Sequence, residues 1–347
     1  MRRTCIAGLA ALLLSGCGNL GYYLQSVQGQ LGIWQREVPV ERLLGDPALD
    51  PQLKAQVERA LRIRDYASRE LGLPDNRSYR SYADLARPFV VWNVFAAGEF
   101  SVEPKQWCFP FAGCVNYKGY FSEAEARRHA QQLAVEGHDV YVGGVPAYST
   151  IGWFADPLLN TFIRYPEPEL ARLLFHELAH QVVYVKDDTV FNESFATVVE
   201  QAGLARWLAD HGSAADRARV AQLQRFRADF RRLVTDARAT LATLYAGGGS
   251  IEEKRRRKAE VLDGLRAAYA AQRLEWGGFA GYDRWFAQPL FFNDTATTEI
   301  YTQQVPAFQA LLEQQGGDLP RFYAAVRELA ALPAETRSAR LAALAAR

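Results

Sequence analysis

Residues 173–185 read Leu173-Leu174-Phe175-His176-Glu177-Leu178-Ala179-His180-Gln181-Val182-Val183-Tyr184-Val185. Within them lies H-E-x-x-H: His176, Glu177 and His180. Residues four apart share a helix face, so both imidazoles can reach one ion. Neutral imidazole suits zinc, and a catalytic zinc takes three protein ligands and a water. Glu177 stands about 100° round the helix from His176. There it can reach a metal-held water without being a ligand, the general-base position of a zinc peptidase. The flanking positions 173–175, 178 and 179 are uncharged, as a buried ligand-bearing helix requires. The alternative is an ordinary core helix with two chance histidines, in which burying two imidazoles and a carboxylate without an ion is costly.

A third ligand is needed. A metzincin would continue H-x-x-G-x-x-H, but Val183 and Lys186 occupy the glycine and histidine positions. The next histidine, His211, lies thirty-one positions beyond His180. Closer to the motif, Asn192-Glu193-Ser194-Phe195-Ala196-Thr197 opens a second apolar helix. This resembles the N-E-x-x-A element of the gluzincins, the thermolysin-like and related aminopeptidase metalloproteases. The resemblance implies Glu193 as third ligand, reached by a short turn, Lys186-Asp187-Asp188-Thr189. Two alternatives stand beside it. Glu193 is then a first-turn glutamate favoured by the helix dipole, or Glu200, two turns on, is the ligand. With Glu193 as ligand, Glu200 becomes an acceptor that orients a histidine, and Asn192 a further support beside the ligands.

Two neutral histidines and one carboxylate leave zinc a residual positive charge, which acidifies water and polarises a carbonyl. Glu177 would take the proton and return it to the leaving amine. The oxyanion needs a further donor; among sixteen tyrosines, Tyr184 shares the ligand face but is expected to pack beneath the site.

Residues 1–16 read as a targeting segment. Arg2 and Arg3 precede an apolar run, Ile6 to Leu14, too short to span a bilayer. Leu14-Ser15-Gly16-Cys17 resembles the lipobox of bacterial lipoproteins, which implies cleavage before Cys17 and lipid on its thiol. Ordinary secretion is the alternative. No aspartate follows Cys17, which leans towards the outer membrane, facing the periplasm of a Gram-negative cell. In that oxidising compartment Cys108 and Cys114, in C-F-P-F-A-G-C, are expected to form a disulfide.

An apolar fraction of 49% over 347 residues can build a large core, and a net charge of +1 argues for no nucleic-acid partner. Residues 17–50 read as a lipidated N-terminus and irregular tether, and 51–347 as the catalytic domain. Asp50 and Pro51 start a helix, and Ser122 with Glu125 forms a capping box. Tyr79–Tyr82, Phe89–Phe95 and Asp139–Val142 read as strands. Tyr148–Phe154 is the candidate edge strand for pairing with a substrate backbone. Residues 214–276 form a helical hairpin with a seam of Phe230, Val234, Ala237, Leu241 and Leu244, turned at Gly247-Gly248-Gly249. The tail holds two or three alanine-rich helices, broken near Gly316-Gly317 and Pro333.

The lipobox, Y-Y-L-Q-S-V, W-C-F-P-F-A-G-C-V-N-Y-K-G-Y-F, A-Y-S-T-I-G-W-F-A-D-P-L and H-E-L-A-H with N-E-S-F-A together resemble a zinc aminopeptidase family of proteobacterial lipoproteins. The resemblance covers most of the chain. It implies a helix-rich α+β, zincin-like metalloprotease fold with a small mixed sheet, a Zn2+ cofactor, and peptide substrates trimmed from the N-terminus. An exopeptidase needs an acid for the free amine, and Glu99, Glu103, Asp156, Glu167 and Glu169 are all candidates. A zinc endopeptidase acting on envelope proteins or cell-wall peptides, and a non-catalytic zinc-binding lipoprotein, are the competing readings. Membrane attachment is expected through Cys17 alone, and nothing sets the oligomeric state. Phe291–Thr302 breaks the pattern: polar and threonine-rich, it matches a peptide translated from sequencing-adapter DNA, so native residues are expected to be overwritten there. Tyr301 coincides with a tyrosine of the family and is a candidate oxyanion donor. Resequencing this region from source DNA tests the expectation, and recovery of the same twelve codons would overturn it.

Overall fold

Asp50 accepts a hydrogen bond from the Leu53 N–H, and Pro51 takes the first helical position of α3 (Pro51–Arg69). The same logic of caps and apolar spacing starts most of the helices in the computed structural model, which describes residues 21–109, 113–147, 150, 152–288 and 303–346. Ser122 accepts from the Glu125 N–H at the head of α4 (Glu123–Val135). Asp188 does so for Phe191 at the head of α6 (Thr189–Asp210).

The strands are short. β1 (Glu37–Pro39), β2 (Ser81–Ala83) and β8 (Leu158–Leu159) form one sheet, with β2 antiparallel to β1 and parallel to β8. β6 (Lys118–Tyr120), β3 (Val91–Gly98) and β7 (His138–Val145) form a second, wholly antiparallel one. β4 (Trp107–Phe109) and β5 (Gly113–Val115) make a ribbon. One small mixed sheet was expected; two sheets and a ribbon stand instead, because β3 and its partners have a core of their own. Trp92, Val94 and Ala96 pack there against Ala126, Ala130 and Leu133 of α4.

The main core is helical. Ile63 and Ala67 of α3, Leu170, Leu174, Phe175 and Leu178 of α5 (Glu167–Ala179), and Phe191, Phe195 and Val199 of α6 are all buried in it. After a single-turn helix, α9 (Asp283–Phe286), the C-terminal helices α10 (Val305–Gln314), α11 (Leu319–Ala330) and α12 (Ala334–Ala345) close over α6 through Phe308, Phe322 and Leu341. Gly203 lets α6 approach closely: a Cβ there would meet Leu71 and Phe175 at 2.8 Å.

The expected hairpin is present as α7 (Ala214–Ala246) and α8 (Ile251–Glu275), with Val234, Ala237 and Leu241 buried on its seam in a separate core. In α8 the basic run Lys254–Lys258 finds acidic partners: Lys258 pairs with Asp139, Arg255 with Glu99, and Arg257 with Glu253.

Two expectations fail. Residues 21–50 are not an irregular tether. They hold a helix, α1 (21–34), then β1 and α2 (Val40–Leu44), because their apolar residues find the body of the protein: Ile33 is buried and Tyr22 stacks on Phe109. The described part of 148–154 is turn and bend, not strand. Thr150 folds back there, its hydroxyl accepting from the Phe154 N–H and donating to the Phe154 carbonyl. Among the described residues, the last two edge strands before α5 are β7, paired with β3, and β8, paired with β2. Cys17, the lipobox, Tyr301 and 291–302 lie outside the described residues.

Candidate metal centre

One face of α5 carries Leu170, Leu174, Phe175 and Leu178 into the core. The opposite face is left with Glu169, Arg172, His176 and His180 at intervals of three or four, and with Glu177 beside them. α5 ends at Ala179, and His180 caps it. The chain then returns through 181–188 into α6.

The imidazoles meet. His176 Nε2 and His180 Nε2 lie 3.2 Å apart with their rings edge to face. The Glu193 carboxylate sits 3.2 Å from His176 Nε2 and 3.7 Å from His180 Nε2. Among the described residues these three form a group able to hold a metal ion, with ligand atoms all within 4.8 Å of one another. α6 starts at Thr189, three residues earlier than Asn192, because Asp188 takes the cap. Glu193 therefore stands beyond the first turn, where the dipole reading loses its basis.

Glu200 does not join this group. Its carboxylate meets the other ring nitrogen, His176 Nδ1, at 3.1 Å, and accepts from Arg172 Nε. Arg172 also bonds Glu169, which in turn accepts from Arg227 of α7. A line of paired charges thus runs from the helical hairpin to His176. Asn192 does not touch the ligands. Its side-chain oxygen accepts from the Val185 N–H and its amide donates to the Val185 carbonyl, pinning the turn that sets the spacing of the two ligand helices.

That turn is held from outside as well. Asp187 adopts φ +63°, in the left-handed region, and its carboxylate accepts from the Cys114 N–H. Gly113 leaves room for it: a Cβ there would lie 1.7 Å from the same oxygen. Cys108 and Cys114 face each other across β4 and β5 with their sulfurs at bonding distance, 2.00 Å. Arg337 of α12, 5% exposed, donates twice to Asp188.

Burial works against a charge on His176, but Glu193, Glu200 and Glu177 outweigh it and push its pKa up to about 10. Burial pulls His180 down to about 4. One ring is thus protonated and its neighbour accepts, with three carboxylates about them. That is the charge balance a divalent ion would satisfy by displacing the proton. Burial pushes Glu177 up to about 7, with Glu193 and Asp156 adding to it against the pull of His176.

Of the five candidate acids, Asp156 acts on Glu177, while Glu169 reaches the histidines only through Arg172 and Glu200. Asp156 is buried, its charge acts on Glu177 and Tyr79, and its side chain accepts from the Thr150 N–H. Glu99 pairs with Arg255, Glu103 with Arg238, Glu167 with Trp207 and Glu169 with the arginines already named.

Tyr184 is not beneath the site but 45% exposed, its phenol raised by burial and the charges of Glu193 and Asp187. The sequence reading missed Tyr117, just before β6. It stands over Phe95, and its phenol is pushed to about 12 by its surroundings and by the charges of Glu193, Tyr184 and Glu177. No periodicity could have found it, because it arrives from another sheet. Arg172 was legible: it lies one turn before His176.

No curated protein and no solved structure matches the chain. Residues 21–341 match the family described as "Putative aminopeptidase". That span takes in both ligand helices, the disulfide hairpin and the C-terminal helices packed on them, and the chain is a member of this aminopeptidase family.

Proposed function

We propose that the chain is a zinc-dependent aminopeptidase of zincin-like fold that removes N-terminal residues from peptides in the periplasm, held to the outer membrane by lipid on Cys17. The observation that carries the zinc reading is the convergence of His176 Nε2, His180 Nε2 and the Glu193 carboxylate. A cation bound there would displace the proton that His176 Nε2 holds towards His180 Nε2, 3.2 Å away. The donor set, two imidazoles and a carboxylate, suits zinc and leaves room for water. Zinc, when bound, supplies Lewis acidity and lowers the pKa of water.

The protein's own groups do the rest. Glu177 accepts the proton of the attacking water and delivers it to the nitrogen of the leaving amine. A value near neutrality lets one carboxyl do both. Tyr117 remains a phenol at neutral pH and can donate to the substrate carbonyl oxygen as charge develops there. Asp156 supplies the negative charge that an exopeptidase needs for the free amine. Family membership supports the aminopeptidase reading over the endopeptidase one.

The test is a mixed peptide library incubated with the zinc-loaded protein and with Glu177→Gln, products being read by mass spectrometry. Stepwise loss of N-terminal residues, reduced about 10²–10⁴-fold in the variant, is expected. Internal cuts would replace this reading with an endopeptidase. Equal products from both proteins would remove the hydrolase reading.

A further inference from the structure

α1 presents an unusual outer face. Leu24, Val27, Leu31 and Trp34 follow at spacings of three and four, and with Tyr23 they occupy an arc of about 100°. All five are exposed, Val27 to 57%. No charged residue occurs from 21 to 35. Trp34 meets Phe154 edge to face at 4.9 Å, so the apolar surface continues onto Phe154 and Trp153, the latter 83% exposed.

The helix is fixed, not loose. Its inner face stacks Tyr22 on Phe109 and sets it edge to face with Tyr120, and its Gln25 side chain bonds the Gly119 carbonyl and the Phe121 N–H. Gly29 rests directly on the Phe121 ring, where a Cβ would come within 2.0 Å. The outer stripe is therefore a permanent part of the surface, and such a stripe ordinarily faces a core or a partner.

We infer that this face of α1, with Phe154 and Trp153, lies against the lipid bilayer that holds the protein. The inference rests on lipidation of Cys17. Gly21 lies four positions after Cys17, so extended chain spans at most about 14 Å between them. A lipid anchored in the leaflet keeps the start of α1 at the headgroups. A helix of fourteen residues, about 21 Å long, then meets the interface along its length. The composition fits that zone: aliphatic side chains in the middle, and Tyr23 and Trp34 at the two ends, where amphipathic rings prefer to sit. Lipid on Cys17 fixes the chain at one point only, so a second contact along α1 sets the orientation of the body.

The test places a photoreactive benzoylphenylalanine at Val27, at Leu31 or at Val135 in the full chain, expressed in a Gram-negative envelope. Val135 is an exposed control, at 85%, on α4. Adducts with phospholipid at 27 and 31, and not at 135, are expected. Adducts with a second copy of the chain or with another protein at 27 and 31 would overturn the inference, as would the absence of lipid adducts from a lipidated chain. The mass of the mature N-terminal peptide reports the lipid on Cys17 separately. Lack of that lipid would overturn the anchored face whatever the adducts, and lipid on Cys17 with no adducts at 27 and 31 would overturn the face alone. Peptidase activity is read in parallel; it stays at the wild-type level whichever way the face is decided, because none of these positions belongs to the site.

Discussion

At the scale of single residues, His176 depends on groups that stand behind it. Glu200 holds His176 by Nδ1 and is itself held by Arg172. Glu200→Ala frees the ring to rotate and removes a charge that favours its binding of a cation. Zinc affinity should fall about 10–100-fold in competition with a chelator, while hydrolysis at saturating zinc recovers in large part. Glu177 behaves in the opposite sense. Its folded value of about 7 lies above its ordinary 4.5, so the folded protein holds this proton more tightly than the unfolded chain. Stability is therefore lost as pH rises from about 4.5 to about 7, and stays lost above. Metal-free Glu177→Gln should accordingly be more stable than the metal-free parent at pH 8, by about 1–3 kcal/mol, and show little difference near pH 4. Urea unfolding at the two pH values checks this; an equal gain at both would mean that ionisation is not the cause.

At the scale of elements, the ligand geometry rests on how α5 and α6 are joined. Eight residues, 181–188, must reverse the chain and bring Glu193 to the two histidines. Asn192 grips Val185 from within, the β4–β5 ribbon grips Asp187 from one side, and Arg337 grips Asp188 from the other. Arg337→Ala removes a buried charge and strands Asp188. A loss of about 2–4 kcal/mol is expected in denaturant unfolding, with weaker zinc binding as the cap of α6 loosens. Gly113→Ala forces a Cβ into the Asp187 carboxylate at a position with φ +75°. It should cost about 1–3 kcal/mol and lower activity, although residue 113 touches neither ligand nor base.

At the scale of the whole molecule, the site is the meeting point of parts that are remote in sequence. α5 and α6 bring the ligands, the hairpin helix α7 brings Arg227, the ribbon brings Cys114, and α12 brings Arg337. A metal bound there ties these parts together, so binding must appear as global stability. Zinc at about 100 times its dissociation constant should stabilise the fold by about 2.7 kcal/mol, raising the melting temperature by a few degrees. A chelator should reverse the shift, and Glu193→Ala should abolish it.

Much of this was local and therefore legible. Caps at Asp50 and Ser122, the hairpin of α7 and α8, the breaks at Gly316-Gly317 and Pro333, and the pairing of His176 with His180 all arise from spacing along one helix or one turn. Such features depend only on neighbours within a few residues, and these the sequence determined by itself. The tertiary structure alone decided which acid of five raises Glu177 by its charge, which tyrosine feels the charge of Glu193, and that Glu200 serves His176 through the far nitrogen. It also decided that α1 belongs to the body, because an amphipathic stretch becomes a fixed helix only when another surface takes its inner face. Burial and electrostatics act through space between segments whose separation in sequence carries no metric, so only packing could assign them.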